Sequence, residues 1–146
     1  MEKSIIYQIF PRYWGDRAGK QKKGGTLDEN GCGKFSNIDR ESLDYFKSLG
    51  VTHLWLTGIV RHATGESTGG CTASSPDWVK GRAGSPYAIT DYYDVNPYLA
   101  DKPERRMEEF KELLKRVHNA GLKVIIDFVP NHVARDYTAF TALHPA

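Results

Sequence analysis

The sequence is poor in cysteine, has no long apolar run and carries almost no net charge. Only two of its 146 residues are cysteine, which excludes a small scaffold held together by several disulfides. No apolar stretch approaches the ~20 residues that a membrane-spanning helix needs. Lysine and arginine total 20 against 18 acidic residues, a formal net charge of +2. This balance excludes strong electrostatic attraction, and we expect neither a nucleic-acid nor a membrane partner.

The two cysteines and the first residues say little about the compartment. Cys32 and Cys71 both lie in loop-like sequence rich in glycine, serine and threonine. Their separation allows one disulfide but matches no zinc-binding spacing, and two unpaired loop residues are the alternative. No apolar run of signal-peptide length follows a basic start, so no export signal is visible. The compartment stays open, with a slight preference for the cytoplasm.

Strand-like and helix-like segments alternate along the chain. Short apolar, β-branched segments predict strands, and capped apolar stripes predict helices. The predicted elements are a strand over 4–10, a helix over 39–49, a strand over 51–60, a helix over 101–120 and a strand over 123–129. Long polar segments, 12–37 and 61–100, follow the first two strands, and short glycine turns follow the helices. This alternation predicts right-handed βαβ units and a parallel sheet.

The unequal loop lengths favour a βα barrel. In such a barrel, the loops after the strands build the active face. A doubly wound sheet would show the same alternation and remains the alternative. Its Gly-rich dinucleotide fingerprint is absent after the first strand, where Pro11, Arg12, Tyr13 and Trp14 stand. The sequence therefore predicts an α/β fold of the barrel type.

The 101–120 segment has the clearest helix signals. Asp101 and Glu104 form a capping-box-like pair, and Pro103 lies in the predicted first turn. One apolar stripe follows: Met107, Phe110, Leu113, Leu114 and Val117. We therefore expect one face of this helix to pack against the sheet.

Polar side chains stand at the end of the third predicted strand. Asp127 lies within this otherwise apolar segment, and Asn131 and His132 follow four and five residues later. A carboxylate in a buried strand must be hydrogen-bonded. The three groups together can hold a hydroxyl-rich ligand or contribute to a cation site. The alternative is that Asp127 accepts backbone N–H groups and His132 fills a polar corner.

Aromatic residues in the loops form a second candidate group. Tyr87 lies in the second long loop, where an exposed ring can stack on the apolar face of a sugar. Trp14 and Trp78 also lie in loops and are candidates to line a saccharide cleft. Trp55 lies inside a strand and is predicted to belong to the core.

Five segments of the chain resemble the α-amylase family of glycoside hydrolases in their order. They are 6–12 (IYQIFPR), 50–56 (GVTHLWL), 87–92 (YAITDY), 120–124 (AGLKV) and 127–133 (DFVPNHV). The resemblance implies the N-terminal part of a TIM-type (β/α)8 barrel, with about three strands and two helices. Residues 1–146 would then be a partial catalytic domain that stops after the third strand.

The resemblance also implies roles for four residues. His132 would contact the sugar at the subsite that precedes the scissile bond, and Tyr87 would stack on the same sugar. Asp127 would support the active site without being catalytic. Asn131 would be a candidate calcium ligand, and calcium is the one cofactor implied. The implied substrate is an α-glucan or maltooligosaccharide.

The residues that carry out catalysis in that family have no counterpart here. Retaining glycosidases need two carboxylates about 5 Å apart. In the family, these come from the fourth and fifth strands, in a Gly-x-Arg-x-Asp segment and a later Glu. The resemblance therefore implies a retaining α-glucan-acting hydrolase or transglycosylase, while the chain alone is expected to be inactive. A non-catalytic, amylase-like carbohydrate-binding protein is the alternative.

Overall fold

The computed structural model describes residues 3–16, 20 and 22–137. Its strands and α-helices are β1 (Ile6–Ile9), α1 (Leu27–Asn30), α2 (Arg40–Ser48), β2 (His53–Leu56), β3 (Val60–His62), β4 (Ile89–Val95), α3 (Arg106–Asn119) and β5 (Lys123–Ile126). Short 3₁₀ turns occupy Phe35–Asn37, Pro97–Leu99 and Pro103–Arg105. Within these residues, no helix combines the length and the apolar character needed to cross a membrane.

The central feature is a parallel sheet in the order β1-β2-β5. Its register places Gln8 beside Trp55 and Trp55 beside Ile125. The three strands of this sheet lie side by side in the order in which they occur along the chain, without the reversal of order that marks a doubly wound fold. The predicted parallel α/β arrangement is confirmed for these three strands.

One face of this sheet carries the hydrophobic core. Leu54 and Leu56 point to this face and are fully buried, in the same cluster as Phe46 of α2 and Leu113 of α3. The rings of Tyr7 and Phe46 have centroids 5.0 Å apart. Burial of side chains this large stabilises the fold by about 1.5–3 kcal/mol each. Both long helices therefore pack on the same face.

Helix α2 begins and ends where its sequence predicts. The Asp39 carboxylate accepts the backbone N–H of Ser42 at 2.9 Å and caps the first turn. Leu43 and Phe46, three residues apart, are its buried side chains. Gly50 follows with a φ of 74°, a conformation that glycine adopts without steric cost.

Helix α3 begins at Arg106, which is later than predicted. The prediction that Asp101 and Glu104 form a capping pair is wrong. Glu109 instead accepts the backbone N–H groups of Asp101 and Lys102 at 2.7 and 2.8 Å. The reason is Pro103, which disfavours the helical conformation at the residue before it, and Lys102 is extended. The chain therefore makes a 3₁₀ turn before the α-helix starts.

The second long loop is not structureless, and the predicted strand over 51–60 is two strands. Gly58, with a φ of 73°, turns the chain after β2, and β3 then pairs antiparallel with β4. A side chain at this glycine would meet Phe10 and Pro86, so the turn has no room for one. A single apolar run thus supplies strands to two different sheets.

A partly buried charge pair fastens α3 to β4. Arg106 donates two hydrogen bonds of 2.8 Å to the carboxylate of Asp94, one to each oxygen. It also donates to the carbonyl of Gly69 at 2.9 Å. The bond to Asp94 is the main cause that raises the pKa of Arg106. Arg106 therefore holds β4 and the loop between β3 and β4 against the start of α3.

The two cysteines are free thiols, so the possible disulfide does not form. Both are half-buried, and burial raises the pKa of the Cys32 thiol. The structure thus confirms the alternative, in which Cys32 and Cys71 are two unpaired loop residues.

Candidate functional site

Asp127 is the first residue beyond β5, because that strand ends at Ile126 and does not continue to residue 129 as predicted. One carboxylate oxygen accepts the indole N–H of Trp55, and the other accepts the backbone N–H of Gly58 at 3.3 Å. Both partners follow or belong to β2. Asp127 therefore holds the ends of two neighbouring strands together.

Trp55 is not a core residue, and that prediction is wrong. Its side chain is 36% exposed, whereas Leu54 and Leu56 on either side are fully buried. Successive strand residues point to opposite faces, so Trp55 lies on the face away from the helices. Its N–H finds a partner in Asp127, as an indole donor normally does when partly buried.

Asn131 and His132 are both exposed in the loop after β5. The imidazole Nδ1 of His132 hydrogen-bonds with the amide oxygen of Asn131. Because an amide oxygen only accepts, Nδ1 is the donor in this contact, and in the neutral ring Nε2 is then the acceptor nitrogen. The geometry leaves Nε2 suited to accept a hydrogen bond from a ligand hydroxyl.

Tyr87 precedes β4 and is 47% exposed. Two contacts hold β4, the strand that follows Tyr87, against the loop after β5. The N–H of Ala134 donates to the carbonyl of Ile89 at 2.8 Å, and the hydroxyl of Tyr92 donates to the carbonyl of Val129. In this bond, Ile89 lies two residues after Tyr87, and Ala134 lies two residues after His132. The structure thus brings β4 and the loop after β5 together at the carboxyl end of the sheet.

A buried polar cluster that the sequence did not reveal lies behind this edge. Arg12, His62 and Asn96 are 9%, 4% and 2% exposed. Arg12 Nη2 lies 2.8 Å and Asn96 Nδ2 3.2 Å from Nε2 of His62. The other ring nitrogen lies 3.0 Å from the carbonyl of Val60 and carries the proton. Burial, reinforced by the charge of Arg12, lowers the pKa of His62 to about 4, so its ring is neutral near pH 7.

This cluster also positions the loop that leads to Tyr87. Arg12 donates to the carbonyls of Ala83 and Gly84 at 2.8 and 3.4 Å. A side chain at Gly84 would lie 1.7 Å from the carbonyl oxygen of Ala63, so only glycine fits there. The buried guanidinium therefore fixes the loop backbone three residues before Tyr87. In the sequence, the only local sign of this cluster was the position of Arg12, which follows the first strand and Pro11.

The two loop tryptophans have different surroundings. Trp14 packs its ring on Phe46 with centroids 5.0 Å apart, and its N–H donates to Ser42 at 3.2 Å. These contacts make Trp14 part of the packing around α2. Trp78 is 41% exposed and lies in the loop between β3 and β4.

Asn131 is the residue proposed as a calcium ligand. Among the described residues, no group of three or more histidine, cysteine, aspartate or glutamate side chains is arranged to hold a metal ion. A calcium ion takes six to eight oxygen ligands. Asn131 offers one such oxygen, which already bonds with His132.

Comparison with known sequences gives a consistent set of relatives. The family model "Alpha amylase, catalytic domain" matches residues 8–144. Trehalose-6-phosphate hydrolase of Bacillus subtilis (strain 168) is 32% identical over 139 residues, which are 95% of this chain and 19% of the relative. Maltase A1 of Drosophila melanogaster is 29% identical over 140 residues, 96% of this chain and 18% of the relative. The chain spans about a fifth of the length of the curated relatives it matches.

Solved structures agree with the sequences. An α-amylase from Lactobacillus plantarum superposes with a TM-score of 0.63 at 30% identity, over 97% of this chain and 26% of that one. Trehalose-6-phosphate hydrolase from Bacillus licheniformis gives a TM-score of 0.61 at 31% identity, over 94% of this chain and 19% of that one. These neighbours support a TIM-barrel fragment as the fold.

Proposed function

Because this chain belongs to the α-amylase family of glycoside hydrolases, we propose that it forms the first part of the catalytic barrel of a retaining enzyme that acts on α-glucans. The proposed domain takes in residues 1–146 as three barrel strands with their two long helices. The observation that carries the proposal is the carboxyl edge of the parallel sheet. Asp127 joins two strand ends there, and the loop that carries the exposed His132 bonds to β4 two residues after the exposed Tyr87.

The proposed roles follow from the chemistry of these side chains. The ring of Tyr87 stacks on a glucosyl unit, and Nε2 of His132 accepts a hydrogen bond from one of its hydroxyls. Asp127 supports the edge through Trp55 and Gly58 and takes no part in proton transfer. These residues bind and orient the sugar that precedes the scissile bond.

The proposal assigns no nucleophile and no acid/base to this chain. Retention requires two carboxylates about 5 Å apart on opposite sides of the glycosidic bond. Asp127 has both oxygens engaged in hydrogen bonds within the sheet edge. Calcium remains a proposal with Asn131 as one ligand, and no chemical step is assigned to it.

A test of this proposal compares two polypeptides on maltoheptaose and starch. The purified 146-residue chain is expected to release no reducing sugar. The polypeptide translated from the same reading frame, continued downstream, is expected to hydrolyse or transfer glucosyl units with the α-anomer as the first product. The downstream sequence is expected to hold an Asp in a Gly-x-Arg-x-Asp segment, then a Glu, then a His-Asp pair. Turnover by the 146-residue chain, or a downstream sequence without these residues, would overturn the proposal.

A non-catalytic carbohydrate-binding protein is the second candidate. It is favoured by the fact that the exposed Tyr87 and His132 suit sugar binding without requiring catalysis. Isothermal titration of the continued polypeptide with maltoheptaose distinguishes the two. Binding without any hydrolysis or transfer would support the second candidate.

A further inference from the structure

A groove lined by Trp78 lies beside the Tyr87 loop. Its volume is about 460 Å³, within the range of small-molecule sites. Its lining includes Asp77, Trp78, Lys80, Ser85 and Arg135. A larger hollow of about 890 Å³ lies among the loops around Arg12 and Gly24, and its lining includes none of the four proposed site residues.

The lining of this groove combines one aromatic face with polar groups of both kinds. Trp78 is 41% exposed, and the guanidinium of Arg135 lies 5.9 Å from the centre of its ring. Lys80 and Arg135 donate hydrogen bonds, while the carboxylate of Asp77 accepts them. An indole beside such groups suits a sugar, which has apolar C–H faces and a rim of hydroxyls.

The groove adjoins the proposed site, because Ala88 and Val133, which directly follow Tyr87 and His132 in the chain, line it. Ser85 lines the groove, and its hydroxyl accepts the backbone N–H of Tyr87 at 3.3 Å. On the other wall, Arg135 follows His132 by three residues. Close to the groove, the hydroxyl of Ser74 donates to Asp136 at 2.6 Å and ties the segment before Trp78 to the segment after Arg135. The groove therefore lies next to the two segments that carry Tyr87 and His132.

We propose that the Trp78 groove is a further subsite, which takes a neutral glucosyl unit of the oligosaccharide held at Tyr87 and His132. This proposal rests on the proposed function. The ring of Trp78 stacks on the sugar, and Arg135 and Asp77 bond to its hydroxyls. The unit is neutral because the proposed substrate is an α-glucan, which carries no charged group.

The experiment measures how affinity depends on oligosaccharide length. Maltose and maltoheptaose are titrated into the 146-residue chain by calorimetry, with Trp78→Ala, Trp78→Phe and Arg135→Ala as variants. Tyr93→Ala is the matched control, because Tyr93 is an exposed aromatic residue, 73% accessible, that does not line the groove. Circular dichroism checks that each variant is folded.

We expect Trp78→Ala to weaken maltoheptaose binding about 3- to 10-fold and to leave maltose binding unchanged. Trp78→Phe retains most of the affinity, Arg135→Ala shows the same dependence on length, and Tyr93→Ala has no effect. If Trp78→Ala does not fold, the proposal is tested by the effect of Arg135→Ala on the affinities for maltose and maltoheptaose.

Three results would overturn the subsite while leaving the proposed function in place. The first is unchanged maltoheptaose affinity in the variants, and the second is an equal loss for both sugars. The third is tighter binding of a 6-phosphorylated maltose that Arg135→Ala abolishes, which would assign the groove to an anionic sugar. Failure of the unmodified chain to bind either neutral sugar would instead overturn the subsite together with the proposed sugar-binding roles of Tyr87 and His132.

Discussion

The interior of the molecule and the carboxyl edge of its sheet differ in how far their side chains are exposed. In the interior, Leu54 and Phe46 are fully buried, and even the polar His62 is 4% exposed with both ring nitrogens bonded. At the edge, Tyr87 and His132 are exposed on loops. The interior fixes where the loops run, and the edge leaves its side chains open to a ligand. Stability and ligand binding are therefore expected to depend on different residues.

Truncating the apolar interior should produce the largest effect. We expect Leu54→Ala to lower the free energy of unfolding by about 3–4 kcal/mol, because it removes a fully buried side chain and leaves a cavity. Ile6 lies on the other face of the same sheet and is 54% exposed, so Ile6→Ala should cost less than about 1 kcal/mol. Urea denaturation followed by circular dichroism measures both variants. Equal losses of unfolding free energy would show that both faces of the sheet are equally buried.

Acidification should weaken the polar part of the interior next. The pKa of His62 is about 4 in the folded chain against about 6.5 when unfolded, so only the unfolded state binds the proton between these values. Stability contributed by this group is complete above pH 6.5 and falls as the pH drops toward 4. We expect a loss of roughly 2–3 kcal/mol between pH 7 and 4.5.

The matched control for this pH dependence is His62→Gln. The variant removes the titrating ring, so its unfolding free energy should change less over the same interval even if it is less stable at pH 7. Urea denaturation at a series of pH values gives both curves. Parallel curves for the two proteins would assign the acid sensitivity to other groups.

Substitutions at the edge should have the smallest effect on stability. Tyr87→Ala and His132→Ala should each change the free energy of unfolding by less than about 0.5 kcal/mol, because both side chains are exposed. The same variants should weaken maltose binding, measured by calorimetry. A large loss of stability from either variant would mean that the edge residues also hold the fold together.

The elements that sequence predicted well are those with strong local signals. The Asp39 cap and the spacing of Leu43 and Phe46 defined α2 almost to the residue. The apolar run before Asp127 marked β5, although its end came three residues early. The start of α3 was missed because a capping pattern at Asp101 competed with the backbone restriction that Pro103 imposes.

The candidate site divides in the same way. Tyr87, Asn131 and His132 could be proposed from their positions after strands and from the family resemblance. The bond between Asp127 and Trp55 joins residues 72 positions apart, and no local pattern indicates it. Trp55 was predicted to be buried because an apolar run does not show which residues face the helices.

By itself, the sequence determined the alternation of strands and helices, the parallel α/β class and the polar residues after the third predicted strand, because periodicity and capping act over a few residues. Tertiary structure alone decided that one apolar run serves two sheets, that Arg12 meets His62 across 50 positions, and that Trp78 and Arg135 share a groove. Such contacts depend on how distant segments pack. Burial then requires each polar group to find a partner wherever the fold places one.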